Sequence, residues 1–129
     1  LQAYNQFGER TLFLGTGSSG GGYLRTYNFD GQETVYVGTG ADSSGQMRIY
    51  DSAGETGTFI GSGYFRTYNQ FGKMSTFLGN GRDGGGYLRT NNKFETETAF
   101  LGTNNSNEGL VNLNDKFGQS FWIRLNKGD

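Results

Sequence analysis

Residues Tyr64–Gly79, YFRTYNQFGKMSTFLG, read as strand, tight turn, strand. Phe65 and Thr67 alternate with Tyr64, Arg66 and Tyr68, the period of two that gives a strand two different faces. Asn69-Gln70-Phe71-Gly72 starts on an Asx residue and ends on Gly, which suits a type I turn or a three-residue hairpin connection with Gly at positive φ. The second strand, Met74–Gly79, returns to alternation with Thr76 and Leu78 on one face and Phe77 on the other.

The same sentence is written six times. Anchored on the residue before the Asx of the turn, the copies fall at Tyr4, Tyr27, Tyr50, Tyr68, Asn91 and Asn114, spaced 23 residues apart except for one step of 18. A fixed period in this range marks a repeat architecture. A Gly follows each anchor by eleven residues in five copies: Gly15, Gly38, Gly61, Gly79 and Gly102. Seven-residue linkers follow it (Thr16–Gly22, Thr39–Gly45, Asn80–Gly86, Thr103–Gly109), but only Ser62-Gly63 in the third copy. The expectation is a lost loop excursion with the strands untouched. One repeat domain over 1–129 results, with repeats near 1–22, 23–45, 46–63, 64–86, 87–109 and 110–129. Leu1 enters in mid-repeat without Met, as expected for a piece of a longer protein. Glu95 replaces the turn Gly in the fifth copy, which predicts a different turn there. The last copy has Arg124 where an aliphatic is expected and Leu125 where Gly is expected, as in a cap or a junction.

Lining up the copies sorts the two faces. Leu24, Val35, Val37, Met47, Ile49, Ile60, Phe65, Leu78, Leu88, Leu101, Val111 and Leu113 share the aliphatic face and are the expected core. Thr26, Thr58, Thr67, Thr76, Thr90 and Ala99 lie among them. The other face carries Tyr23, Arg25, Tyr27, Arg48, Tyr64, Arg66, Tyr68, Tyr87 and Arg89, with Phe13, Tyr36, Phe59, Phe77 and Phe100 nearby. It is either a cross-strand ladder that stiffens the sheet or a platform for sugar rings and anionic glycans, and the ladder is the better match.

Composition sets limits. Only 33% of residues are hydrophobic, and 24 glycines bring no side chain to a core. Twelve short strands without a helical period give an all-β protein. Three architectures suit it: an intertwined homotrimeric triple-stranded β-helix, a monomeric β-solenoid, and a closed trefoil or prism. The small residues of the aliphatic face suit a narrow axis shared by three chains, which favours the first.

No His or Cys is present, which removes a Ser-His-Asp triad, imidazole ligands, thiol chemistry and disulfides. The net charge of −1 offers no basic footprint for nucleic acid. No apolar run is long enough to span a membrane, and no signal peptide is visible. Glu95/Glu97 and Asp42/Asp51 are the nearest carboxylate pairs, poor candidates for glycoside hydrolysis, so no enzyme is expected. GxGxxG occurs at Gly15–Gly20 and Gly79–Gly84, each followed by a strand where a dinucleotide site needs a helix. The Asp42 and Asp83 loops supply one carboxylate each, thin provision for Ca²⁺. No cofactor and no metal is expected. Asn104-Asn105-Ser106 is a glycosylation sequon.

The pattern GGGYLRTYN (20–28) followed by TVYVGTG (34–40) resembles the Gly-rich repeats of phage tail-fibre and tail-spike shafts, and of fibres on phage-like contractile injection machines. The resemblance runs from the first anchor to Leu125. It implies an intertwined homotrimer outside the cell, on a virion or injection-machine appendage, that supports attachment. A carbohydrate-binding β-repeat module is the alternative.

Overall fold

The computed structural model describes residues 1–125, and the backbone only for Leu125; the last four residues of the sixth repeat lie outside the described residues. The described chain is all-β, with no helix. Its strands are β1 (Gln2–Tyr4), β2 (Arg10–Thr16), β3 (Gly22–Tyr27), β4 (Glu33–Thr39), β5 (Gly45–Tyr50), β6 (Thr56–Gly61), β7 (Tyr64–Tyr68), β8 (Met74–Asn80), β9 (Gly86–Asn91), β10 (Glu97–Thr103), β11 (Gly109–Asn114) and β12 (Ser120–Leu125). The chain divides into two units, Leu1–Ser62 and the part from Gly63 onward.

In each unit every strand pairs antiparallel with its neighbour in the chain, and the order runs straight through without closing. This pairing removes the solenoid, whose strands pair with those of the next coil, and the closed trefoil. The reason is local: each connection is a tight turn, which can join only antiparallel neighbours.

Asn28 shows how the turns form. Its N–H donates to Gln32 O at 2.9 Å, and Gly31 N–H donates to Asn28 O at 3.1 Å. Gly31 has φ of 76°, and Asn28 Oδ1 accepts from Gln32 N–H at 2.9 Å. This is a type I turn closed by a left-handed residue. The same backbone bonds recur at the even-to-odd connections, as between Gly17 and Gly21. The seven-residue linkers are therefore mostly hairpin: Thr16 pairs with Gly22 and Thr39 with Gly45. The expectation of untouched strands at the short connection is corrected. β6 ends at Gly61 and β7 starts at Tyr64, so each lacks the end residue that its counterparts carry.

Glu95 corrects a second expectation. The turn there is the ordinary one, with Asn92 N–H to Thr96 O at 2.9 Å and Glu95 N–H to Asn92 O at 3.0 Å. Glu95 itself takes φ of 65°. A left-handed non-Gly residue costs about 1 kcal/mol. Its carboxylate accepts from Met74 N–H at 3.1 Å and lies 3.4 Å from Lys73 Nζ, contacts that favour this conformation. The Met74 bond, with Lys73 behind it, holds the Glu95 carboxyl below its ordinary pKa of 4.5. A lowered folded-state pKa means stability that is complete above the ordinary value and lost as pH falls through the folded one. Denaturation of Glu95→Gln beside the parent is expected to show a deficit at neutral pH that vanishes in acid. A deficit independent of pH would contradict this.

Register arranges the faces into rows. In the first unit Leu14, Leu24, Val37, Met47 and Ile60 are successive cross-strand partners. In the second, Phe65, Leu78, Leu88, Leu101, Val111 and Arg124 follow one another. These rows, expected as core, are uncovered within their own chain. Leu78 is 53% exposed, Leu101 54% and Leu14 47%. Val37, Ile49 and Ile60 are also exposed, while Leu24, Val35, Met47, Phe65, Leu88, Val111 and Leu113 are half-buried. The one buried hydrophobic side chain among the described residues is Phe77, on the opposite face. Among the described residues of each unit no second layer faces the aliphatic rows, so only lateral neighbours shield them.

Candidate functional site: the aromatic and arginine face

The expected Tyr/Arg face forms two kinds of row. In the first, arginine and aromatic side chains alternate as cross-strand partners: Phe13, Arg25, Tyr36, Arg48 and Phe59 in the first unit. In the second unit the row is Arg66, Phe77, Arg89, Phe100 and Asn112. In the second kind, tyrosine alternates with glycine. Tyr23 stands between Gly15 and Gly38, and Tyr87 between Gly79 and Gly102.

Those glycines are the residues that follow each anchor by eleven. The sequence shows their regularity without their purpose. A Cβ on Gly38 would come within 2.4 Å of Tyr23 Cβ, and one on Gly102 within 2.3 Å of Tyr87 Cβ. Glycine lets the neighbouring ring lie across the strand.

The rings then stack. Phe13–Tyr23 and Tyr23–Tyr36 centroids are 5.2 and 5.7 Å apart, with planes 22° and 19° from parallel. In the second unit Tyr64–Phe77, Phe77–Tyr87 and Tyr87–Phe100 are 5.9, 4.7 and 5.2 Å apart. Such pairs contribute about 0.5–1.5 kcal/mol beyond buried area.

The guanidiniums lie over these rings. Arg25 Cζ is 4.8 Å from the Tyr23 centroid and 5.5 Å from that of Tyr36. Arg66 sits 4.5 Å from Tyr64 and 5.4 Å from Phe77, and Arg48 5.5 Å from Phe59. The Nε atoms of Arg48, Arg66 and Arg89 are buried without a hydrogen-bond acceptor. For Arg48 and Arg66 the ring faces take an acceptor's place, and Arg89 Nη2 lies 3.9 Å from Met74 Sδ. Arg25 Nε is 3.3 Å from Glu33 Oε2. Burial disfavours its charge, but Glu33 and the Tyr27 hydroxyl outweigh that and raise its pKa. Burial, reinforced by the Glu33 charge, also pushes the Tyr50 phenol up.

This geometry bears on ligand binding. Sugars stack on ring faces, and the faces of Tyr23, Phe77 and Tyr87 are taken by neighbouring rings. Ring edges and the outer guanidinium nitrogens are what remain. The arrangement is a self-satisfied ladder, with Tyr27 and Tyr68 at its turn end, where Arg10 Cζ lies 4.6 Å over Tyr27.

Asn91 and Asn114, where the anchor changes from Tyr to Asn, have a role that the sequence reading missed. Asn91 Nδ2 donates to Met74 O at 2.9 Å, and Asn114 Nδ2 to Glu97 O at 3.2 Å. Each caps the first carbonyl of the preceding strand, beside the register shift that follows its own turn. Asn114 is buried, and its Oδ1 accepts from Asn112 Nδ2 and Ser120 Oγ at 3.0 and 2.8 Å. Asn114→Ala leaves these partners unpaired, and is expected to cost about 1–3 kcal/mol in urea denaturation. A change within error would contradict the role. The swapped anchor was the visible signal.

The remaining candidates are tied to their own turns. Asp42 Oδ1 accepts from Ser44 Oγ at 2.7 Å and Ser44 N–H at 3.1 Å, which lowers its pKa, the hydroxyl contributing most. Asp51 Oδ1 accepts from Ala53 and Glu55 N–H, and Glu97 Oε1 lies 3.4 Å from Asn114 Nδ2. No group of three potential metal ligands occurs among the described residues. Gly20 and Gly84 of the GxGxxG runs are turn residues, both with φ of 84°, leading into β3 and β9. The sequon's Asn104 accepts from Ser106 and Glu108 N–H, and donates to Glu108 Oε2.

No protein-family model matches this chain, and no curated protein matches it.

Proposed function

We propose that this chain is a non-enzymatic structural segment of a homotrimeric fibre or spike, of the kind seen in phage tail fibres, that supports attachment to a cell. Its place would be extracellular, on a virion or injection-machine appendage, without nucleic acid or membrane insertion. One observation carries the reading: the aliphatic rows of each unit are ordered and continuous, yet Leu78 and Leu101 stay more than half exposed. Exposed apolar patches of that extent mark interaction surfaces. The repeat supplies the same side chains at every level, which suits partners that are themselves repeats.

Three chains about one axis, aliphatic faces inward, cover the rows at once. Thr67, Thr76, Thr90 and Ala99 beside the larger aliphatics suit such a narrow axis. The inner strands already use their backbone groups within the chain, so the chains meet through side chains. The fully intertwined form of the triple-stranded β-helix requires exchanging these ladders between chains. Electron microscopy of the purified chain tests the fibre reading: particles with three-fold cross-section are expected, and single-sheet particles would sink it.

The second reading, a carbohydrate-binding module, draws on the Arg rows. An acidic-glycan array compared with Arg66→Ala separates it. Binding lost with Arg66 would favour it; no binding above background removes it. No helix among the described residues is long and apolar enough to cross a membrane.

A further inference from the structure

We propose that the phenylalanine-bearing edge of each copy docks into the glycine-rich edge of the next copy, around a closed ring of three. This rests on the trimer reading and adds which edges meet. Because strands alternate in direction, odd-to-even turns fall on one edge of a unit and even-to-odd turns on the other. The first edge carries Phe7 and Phe29 in one unit, and Phe71, Phe94 and Phe117 in the other. All five are exposed, from 64% for Phe29 to 73% for Phe94.

The fold does not need these rings. Ala53 occupies the turn position of Phe7, Phe71, Phe94 and Phe117, one residue after that of Phe29, and its turn closes with the same bonds, Asp51 N–H to Glu55 O at 2.8 Å and Gly54 N–H to Asp51 O at 3.0 Å. Phe7 and Phe29 meet edge to face, with centroids 5.8 Å apart; Phe94, the most exposed of the five at 73%, is a large apolar knob at a tip, dispensable to its own turn.

The hole lies on the opposite edge. Between the Gly81–Gly85 turn and the Asn104–Asn107 turn is a groove of about 240 Å³, lined also by Tyr87, Phe100 and Thr103. A cavity of about 150 Å³ is enough for benzene. Glycine leaves the groove its width, since a Cβ on Gly81 would stand 3.3 Å from Gly85 O and 3.4 Å from the Tyr87 ring.

The levels match. The Phe94 tip joins β9 to β10. The groove lies between the β8–β9 and β10–β11 turns, so knob and hole sit at the same height in the strand order. Rotation about an axis across the strands brings one onto the other without sliding. Such a head-to-tail contact closes into a ring when the rotation does. Phe29 stands in the same relation to the Gly17–Gly21 and Gly40–Ser44 turns of the first unit. Lys93, with Nζ 5.0 Å above the Phe94 ring, would meet a groove carrying Asp83. Arg82 shares that groove, so ring burial dominates the contact.

A photoreactive benzoylphenylalanine at position 94 tests this, with the mass in solution measured on the same sample. The expected result is a trimeric mass and inter-chain cross-links to residues 81–85 or 104–107. Phe94→Ala is expected to keep the fold, as Ala53 does, and to raise the trimer's dissociation midpoint by about tenfold or more, the equivalent of 1.4 kcal/mol. A trimeric mass with cross-links to another copy's phenylalanine edge, or with none between chains, overturns this docking while the trimer stands. So does a trimer that sediments with phosphatidylserine vesicles through Phe94. A monomeric mass overturns both.

Discussion

Leu78→Lys combined with Leu101→Lys is expected to separate the assembly into folded single chains. Each leucine is about half exposed in its own chain, so lysine there keeps its stem on the sheet and its ammonium in water. Within one chain the cost is small. In the proposed trimer the same positions would face the shared axis. There each copy would forfeit two buried leucines, about 1.5–3 kcal/mol apiece, and confront unpaired ammonium groups, whose burial costs several kcal/mol each. With three copies the loss exceeds what an assembly of this size holds. Circular dichroism should keep its strand signal while light scattering reports a threefold drop in mass. Leu78→Met, which preserves volume, should leave the mass unchanged. Loss of strand signal together with mass would instead mean that these side chains stabilise the single chain.

Gly102→Ala should produce the largest loss of stability of any single methyl addition in the ladder. Its Cβ would stand 2.3 Å from Tyr87 Cβ, 2.7 Å from Gly86 O and 2.7 Å from Tyr87 Cα. Backbone atoms cannot swing aside as a side-chain end can. Overpacking of this kind costs about 1–3 kcal/mol, and the upper end is expected because two strands must move apart. Gly109→Ala is the control, a glycine with open space around its would-be Cβ and no positive φ. It should be neutral or gain up to about 1 kcal/mol from the restricted unfolded chain. Urea midpoints of the two variants against the parent decide. Equal midpoints would mean that the ring–glycine rows do not hold the strands.

Both outcomes turn on features that the sequence shows unequally. The twelve strands, their two faces and the turn chemistry were legible, because a period of two with Asx and Gly at fixed offsets leaves little choice. The strand neighbours were not. Alternation says which way Leu24 and Arg25 point, but nothing about whether β3 pairs within its chain or with another coil. Glu95 misled for a related reason: its backbone takes the place of Gly only because Met74 and Lys73, from another hairpin, hold its carboxylate. The glycines at 15, 38, 79 and 102 looked like strand ends. Only the register reveals a ring across each. Burial was the least legible, since Leu78 and Leu101 carry the pattern of a core whether or not their own chain covers them.

The central claim is that each copy's aliphatic rows are covered by two others. Sedimentation equilibrium of the purified chain at micromolar concentration tests it most directly. The predicted result is a single species of three times the 14.1 kDa chain mass, independent of concentration. A well-folded species at 14.1 kDa would contradict it.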